Sequence, residues 1–212
     1  MEAELLPVPT VEAVQTECDA FDREYQLAEE ALQLLWAAFP GNVKTSLVLL
    51  KVLALNRLYS TRVDDVDVEP LARHIVGLNI DALLDRGALE AVSLIADCPG
   101  LKKKYFSFAS KFCSRHCPGV YPIWDGNARA CLWAYRKQRD PFASFRNYDL
   151  WIYEKFLEQV IAFRAKYGLT RFTLRELDKF LYLTGGRILR GEDVPAFVGL
   201  RAECGDSSLR SE

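Results

Sequence analysis

Cys98-Pro99-Gly100-Leu101-Lys102-Lys103-Lys104 leads through one helix to Tyr121-Pro122-Ile123-Trp124-Asp125-Gly126-Asn127-Ala128-Arg129. A proline followed by glycine marks a turn, so the first stretch closes one helix and opens the next. Lys103 to His116 carries Phe106, Ala109, Phe112 and Cys113 at helical spacing, and Cys117-Pro118-Gly119 stops it. Pro122 disfavours helix at the residue before it, so Tyr121 to Trp124 reads as extended. Asp125 then stands where a helix N-cap belongs, ahead of a helix running to about Gln138.

Outward from this stretch the pattern stays helical. Asp81 can cap a helix that breaks or bends near Gly87 and resumes through Ala96. Asp67 can cap another, with Glu69 and Pro70 in its first turn, Leu71, Ile75 and Leu78 on one side, and Gly77 at its end. Val43 to Leu58 and Glu24 to Phe39 read as two more, separated by Pro40-Gly41-Asn42. On the other side, a long helix is expected from Tyr148 to Tyr167, ended by Gly168. Thr173-Leu174-Arg175-Glu176 is a capping box opening a last helix, which Gly185-Gly186 is expected to end. No run alternates as a half-buried strand would, and no internal repeat is evident. The expectation is an all-α fold of roughly eight helices. A domain over residues 21–190, one body or two closely packed lobes, follows a loose arm at 1–20 and precedes an irregular tail at 191–212.

Half of the 212 residues are hydrophobic, enough for a sizeable core. The longest apolar run, Leu47 to Leu55, is interrupted by Lys51 and is too short to span a bilayer. The N-terminus lacks the basic head and apolar stretch of a signal peptide, so a cytoplasmic or nucleoid-associated location is expected. The six scattered cysteines are expected to be free thiols. Cys113, His116 and Cys117 form only one loose cluster, short of two tight ligand pairs, so neither metal nor cofactor is expected. His74 beside apolar residues reads as structural, and His116 as a complement to a helix C-terminus.

Charge distribution is more informative than its total of −2. Lys102 to Arg146 holds ten basic residues and two acids, leaving seventeen basic and twenty-seven acidic residues elsewhere. The middle is therefore at +8 and the remainder at −10, as in an acidic body with one polyanion-facing surface. A solvated basic helix face would give the same count.

Residues 98–135 resemble the helix-hairpin-helix DNA glycosylase superfamily. In that family a Pro-Gly-hydrophobic-Gly hairpin binds a DNA phosphate through backbone amides, and an aspartate opening a following helix is catalytic. Pro99, Gly100 and Leu101 match the hairpin, with Lys102 where the second glycine would stand. Asp125 matches the aspartate. The Phe-Ala-Ser-Lys and Tyr-Pro-Ile-Trp-Asp patterns, at Phe108 to Lys111 and Tyr121 to Asp125, are similar to glycosylase-like bacterial proteins related to 8-oxoguanine glycosylases. The resemblance implies a hydrolase for base excision in DNA repair, cleaving the N-glycosidic bond of an altered base in duplex DNA. Catalytic roles would fall to Asp125 and, as the lysine nearest to the nucleophile position of bifunctional members, Lys104. DNA contacts would come from Pro99, Gly100, Lys102, Lys103, Lys111, Arg115, Asn127 and Arg129, and a base pocket from Phe108, Tyr121 and Trp124. The iron–sulfur cysteine quartet of some members has no counterpart, since Cys204 stands alone in the C-terminal region. Two other readings stay open: a non-catalytic nucleic-acid-binding module, and a protein-interaction module retaining the fold. Asp125 itself can be a cap and nothing more.

Overall fold

The computed structural model describes residues 6–195, and the reading of the tail beyond them, with Cys204, lies outside the described residues. Among these residues the chain is all-helical, with nine α-helices and one 3₁₀ turn. None is long and apolar enough to cross a membrane.

Helix α1, Val11–Ala38, begins inside the stretch expected to be a loose arm. Thr10 caps it by accepting from the Ala13 amide. Ala13, Val14, Cys18 and Phe21 recur on one buried face, and their burial holds the first turns against the body. After Pro40-Gly41-Asn42 follow α2, Thr45–Tyr59, and α3, Asp65–Gly77. Asp67 lies in the first turn of α3, past the N-cap position at Asp64, and its carboxylate accepts from the Tyr105 hydroxyl. The bend at Gly87 separates α4, Asp81–Asp85, from α5, Glu90–Ala96, and Gly87 has φ +67°.

Helix α6, Phe106–His116, follows the Pro99-Gly100 turn, in which Gly100 has φ +84°. Helix α7, Gly126–Arg136, starts directly after Asp125. The long helix expected from Tyr148 is interrupted. A 3₁₀ turn, Asn147–Trp151, gives way at extended Ile152 to α8, Tyr153–Lys166. The Asp149 carboxylate causes the break by accepting from the Arg146 amide at 2.8 Å and so fixing a separate cap.

Helix α9, Leu174–Arg190, opens on the expected capping box of Thr173 and Glu176. It does not end at Gly185-Gly186; it runs on to Arg190 and is closed by Gly191 in the left-handed region. The glycine pair serves another purpose. A Cβ on Gly185 would lie 1.9 Å from the Asn127 carbonyl oxygen, so α9 and the first turn of α7 meet backbone to backbone. That contact seats the start of α7, and with it Asp125, on α9.

The turn between α1 and α2 covers a buried polar group. The Lys51 ammonium donates to the Asn42 Oδ1 at 2.9 Å and to the Pro40 and Gly41 carbonyls. The Asn42 amide nitrogen reaches Asp81 Oδ1 and, at 3.2 Å, His116 Nε2. Burial, then the Lys51 charge, pulls the His116 ring from 6.5 down to about 4, against the Asp81 carboxylate. A base held below its unfolded pKa makes the unfolded chain the better proton binder between those values. Stability is expected to fall by about 1–3 kcal/mol from this half-buried ring as pH drops from about 6.5 to about 4. Denaturant midpoints across that range should fall less steeply in His116→Asn than in the wild type. Parallel curves would remove His116 from the acid response.

Candidate functional site

The stretch from Tyr121 to Trp124 is extended and makes no ladder, so its polar groups must be satisfied by side chains or by isolated contacts. Tyr121 is tied by its hydroxyl to the Ala88 carbonyl, and the Pro122 carbonyl accepts from the Tyr153 hydroxyl at 2.7 Å. Ile123 N–H donates to Asp178 Oδ2 at 2.9 Å, and Trp124 N–H donates to the Ser110 hydroxyl at 3.1 Å. The Trp124 indole donates to the Leu150 carbonyl. The segment is thus fastened to α6, α8 and α9, and Asp125 at its end is placed by all of them.

Asp125 caps α7, its Oδ1 accepting from the Ala128 amide at 2.9 Å. Its Oδ2 lies 3.6 Å from the Lys111 ammonium nitrogen, and both side chains are about nine-tenths buried. Lys111 sits one residue beyond Ser110 on α6, so the hydroxyl that pins Trp124 also sets the approach of this lysine to Asp125. The amine additionally donates to Ser107 Oγ at 3.2 Å. Burial pulls the Lys111 amine below its ordinary value, with the Asp125 carboxylate opposing.

Lys111 and Asp125 open onto a cavity of about 160 Å³. Its aromatic walls are Phe21 and Tyr25 of α1, Tyr59 of α2 and Tyr182 of α9. That volume is comparable to the ~150 Å³ that holds a benzene ring in an engineered core cavity. Arg175 and Asp178 complete the lining. Asp178 is 3 % exposed, and while its Oδ2 takes the Ile123 amide its Oδ1 is buried without a partner. Burial drives this carboxyl well above the usual carboxylate range, with Arg175 opposing, so its surroundings favour the protonated form. A buried amine and two carboxyl groups therefore share one aromatic-walled cleft.

The other residues singled out from sequence are distributed differently. Lys104 is exposed and pairs with Asp97 at 2.8 Å; it does not line the cleft. Lys103 pairs with Asp64 at 2.9 Å and lies over the Tyr105 ring, while Lys102, Pro99 and Gly100 are exposed in the segment between α5 and α6. Lys111, expected among the phosphate contacts, is instead the lysine beside Asp125. Arg115 is turned toward Glu29 and the Tyr59 hydroxyl. Asn127 donates to the Tyr182 carbonyl, and Arg129 stacks 4.7 Å from the centre of the Trp151 ring.

The expected base pocket of Phe108, Tyr121 and Trp124 is corrected by the structure. All three are core residues and none lines the cleft. Phe108 packs on Phe112, Tyr121 is held by Ala88, and Trp124 is wedged against Phe106 and Trp151. The cleft aromatics come from segments far away in sequence, and only the packing of α1, α2 and α9 brings them together. Trp151 and Tyr148, both substantially exposed, also escaped the sequence reading, and Trp151 gives the surface at Arg129 an aromatic face. Among the described residues no three His, Cys, Asp or Glu side chains gather as a metal site.

The family model HI_0787_N, described as an N-terminal domain, matches residues 10–120. An uncharacterized protein of Haemophilus influenzae strain Rd is 34 % identical over 188 residues, covering 82 % of this chain and 84 % of that protein. No solved structure matches the chain.

Proposed function

The chain belongs to the HI_0787_N family, and from that footing we propose that it is a DNA-binding base-excision enzyme with Lys111 and Asp125 as its reacting pair. The observation that carries this reading is the 3.6 Å approach of a buried lysine amine to a buried carboxylate at the wall of an aromatic cavity. Structural ion pairs are common, but they rarely face an opening sized for one planar ring. The α5–turn–α6 pair, with positive φ at Gly100, supports a likeness to the helix-hairpin-helix glycosylases.

The chemistry follows from the three ionisable groups. With a flipped base held among the aromatic rings, the Lys111 amine, whose burial favours loss of its proton, attacks the sugar C1′. The bond from C1′ to the base nitrogen breaks, and its electron pair leaves with the base. Asp178, whose burial favours the protonated form and whose Oδ1 has no partner, can supply the proton that the departing base needs. Asp125 stabilises positive charge developing on the sugar and takes the proton released by the attacking nitrogen. The nitrogen lone pair then forms the C=N bond as C1′–O4′ breaks, and O4′ leaves as a hydroxyl with the proton that Asp125 took up; water adds to C1′ of this imine, which releases the amine and leaves an abasic sugar.

The capping bond from Asp125 to Ala128 favours a second reading, a nucleic-acid-binding module in which this aspartate only shapes the fold. Incubation with a panel of lesion-bearing duplexes separates the two. Release of free base, lost in Asp125→Asn while duplex binding and its steep weakening by salt persist, is the expected result. Binding without release from any duplex would leave the non-catalytic reading standing.

A further inference from the structure

A second, larger cavity of about 470 Å³, sharing Arg175 with the first, lies between the end of α1 and the end of α6. Its polar lining consists mainly of donors. The Trp36 indole N–H and the Ser114 hydroxyl are both buried without a hydrogen-bond partner, on residues 6 % and 3 % exposed. An indole nitrogen can only donate, and an unpartnered buried donor is costly unless something accepts from it. The guanidinium groups of Arg115 and Arg175 lie in the same lining. Both pair with a single acid, Glu29, at 2.8 Å, which leaves one positive charge in excess in this group.

We propose that this second cavity binds a phosphate group, held by the Ser114 hydroxyl, the Trp36 indole and the two arginines. Arg guanidinium forks and neutral N–H and O–H donors together match the several acceptor oxygens of a phosphate. Arg175 lines both cavities, so an anion drawn to it here acts on the wall of the aromatic cleft. The same chemistry could come from the DNA backbone or from a free nucleotide. The inference stands on the donor lining alone and does not require that Lys111 react.

The test begins with the full chain and inorganic phosphate, followed by indole N–H resonances in a two-dimensional NMR spectrum. The Trp36 signal, identified by its loss in Trp36→Phe, should move as phosphate is added. The Trp124 signal, already bonded to the Leu150 carbonyl, should not. Ser114→Ala and Arg115→Gln should each weaken phosphate binding about tenfold. If the source is DNA, Ser114→Ala also lowers duplex affinity. If it is a free nucleotide, a deoxynucleoside monophosphate binds more tightly than phosphate and duplex affinity is unchanged. Both outcomes support the site. A Trp36 signal that stays fixed under phosphate, nucleotide and duplex alike overturns it, whether or not base release is detected.

Discussion

Replacing Lys111 by Met is expected to lower base release by at least about 10²–10⁴-fold while leaving the fold in place. The wild-type side chain is almost fully enclosed, and its amine contacts Asp125 and Ser107. Methionine fills similar volume without the charge, so the packing of α6 is retained. What disappears is, among the described residues, the only lysine lining the aromatic cleft. Lys111→Arg separates nucleophile from cation. It keeps a positive charge near Asp125 but offers no nucleophilic amine, because a guanidinium stays protonated. Both variants should therefore lose release alike. If arginine restored it, Lys111 would act as an electrostatic partner rather than as the attacking group. Melting within a few degrees of the wild type would show that the loss is chemical.

Gly185→Ala is expected to be the most damaging of the glycine-to-alanine changes among the described residues, costing about 3 kcal/mol or more. Its Cβ would stand 1.9 Å from the Asn127 carbonyl oxygen and 2.5 Å from the carbonyl carbon. Those are backbone atoms in the first turn of α7, which cannot step aside as the end of a flexible side chain could. Helix propensity favours alanine over glycine by only about 1 kcal/mol, so the clash prevails. Relief requires α7 to move away from α9, taking Asp125 with it. A fall in the denaturant midpoint without a change in slope would register the lost stability. Gly186→Ala should cost less, since its neighbours at 3.2 Å are the ends of the Arg190 and Asn127 side chains.

The comparison of those two glycines shows where sequence reading reached its limit. Local signals placed the turn at Pro40-Gly41, the cap at Asp125 and the capping box at Thr173, because each acts through its own neighbours. Gly185-Gly186 looks locally like a helix stop, and only the crossing helix reveals it as a contact surface. The start of α1 was hidden for a related reason. Pro7, Pro9 and the acids nearby suggested an arm, while the stripe of Ala13, Val14, Cys18 and Phe21 acquires meaning against the body it packs on.

Of the candidate site, Asp125 was legible and its partner was not. The lysine nearest to the nucleophile position implied by the resemblance was Lys104, but it pairs with Asp97. Lys111 reaches the carboxylate because α6 places Ser110 under the Trp124 amide and turns the next side chain into the cleft. Aromatic residues close to Asp125 in sequence were natural candidates for a base pocket, yet the extended segment uses them to anchor itself in the core. Asp178 carried no signal at all, since a single aspartate within an amphipathic helix becomes notable only when its burial is known.

The claim on which the enzymatic account rests is that the Lys111 amine forms a bond to the sugar. Reaction of the wild-type protein with an altered-base or abasic duplex in the presence of borohydride would reduce such an imine to a permanent link, and peptide mass spectrometry would locate it. The account predicts a single attachment at Lys111, absent from Lys111→Met. An attachment on Lys102, Lys103 or Lys104, or duplex that binds and is processed with no link to any lysine, would contradict it.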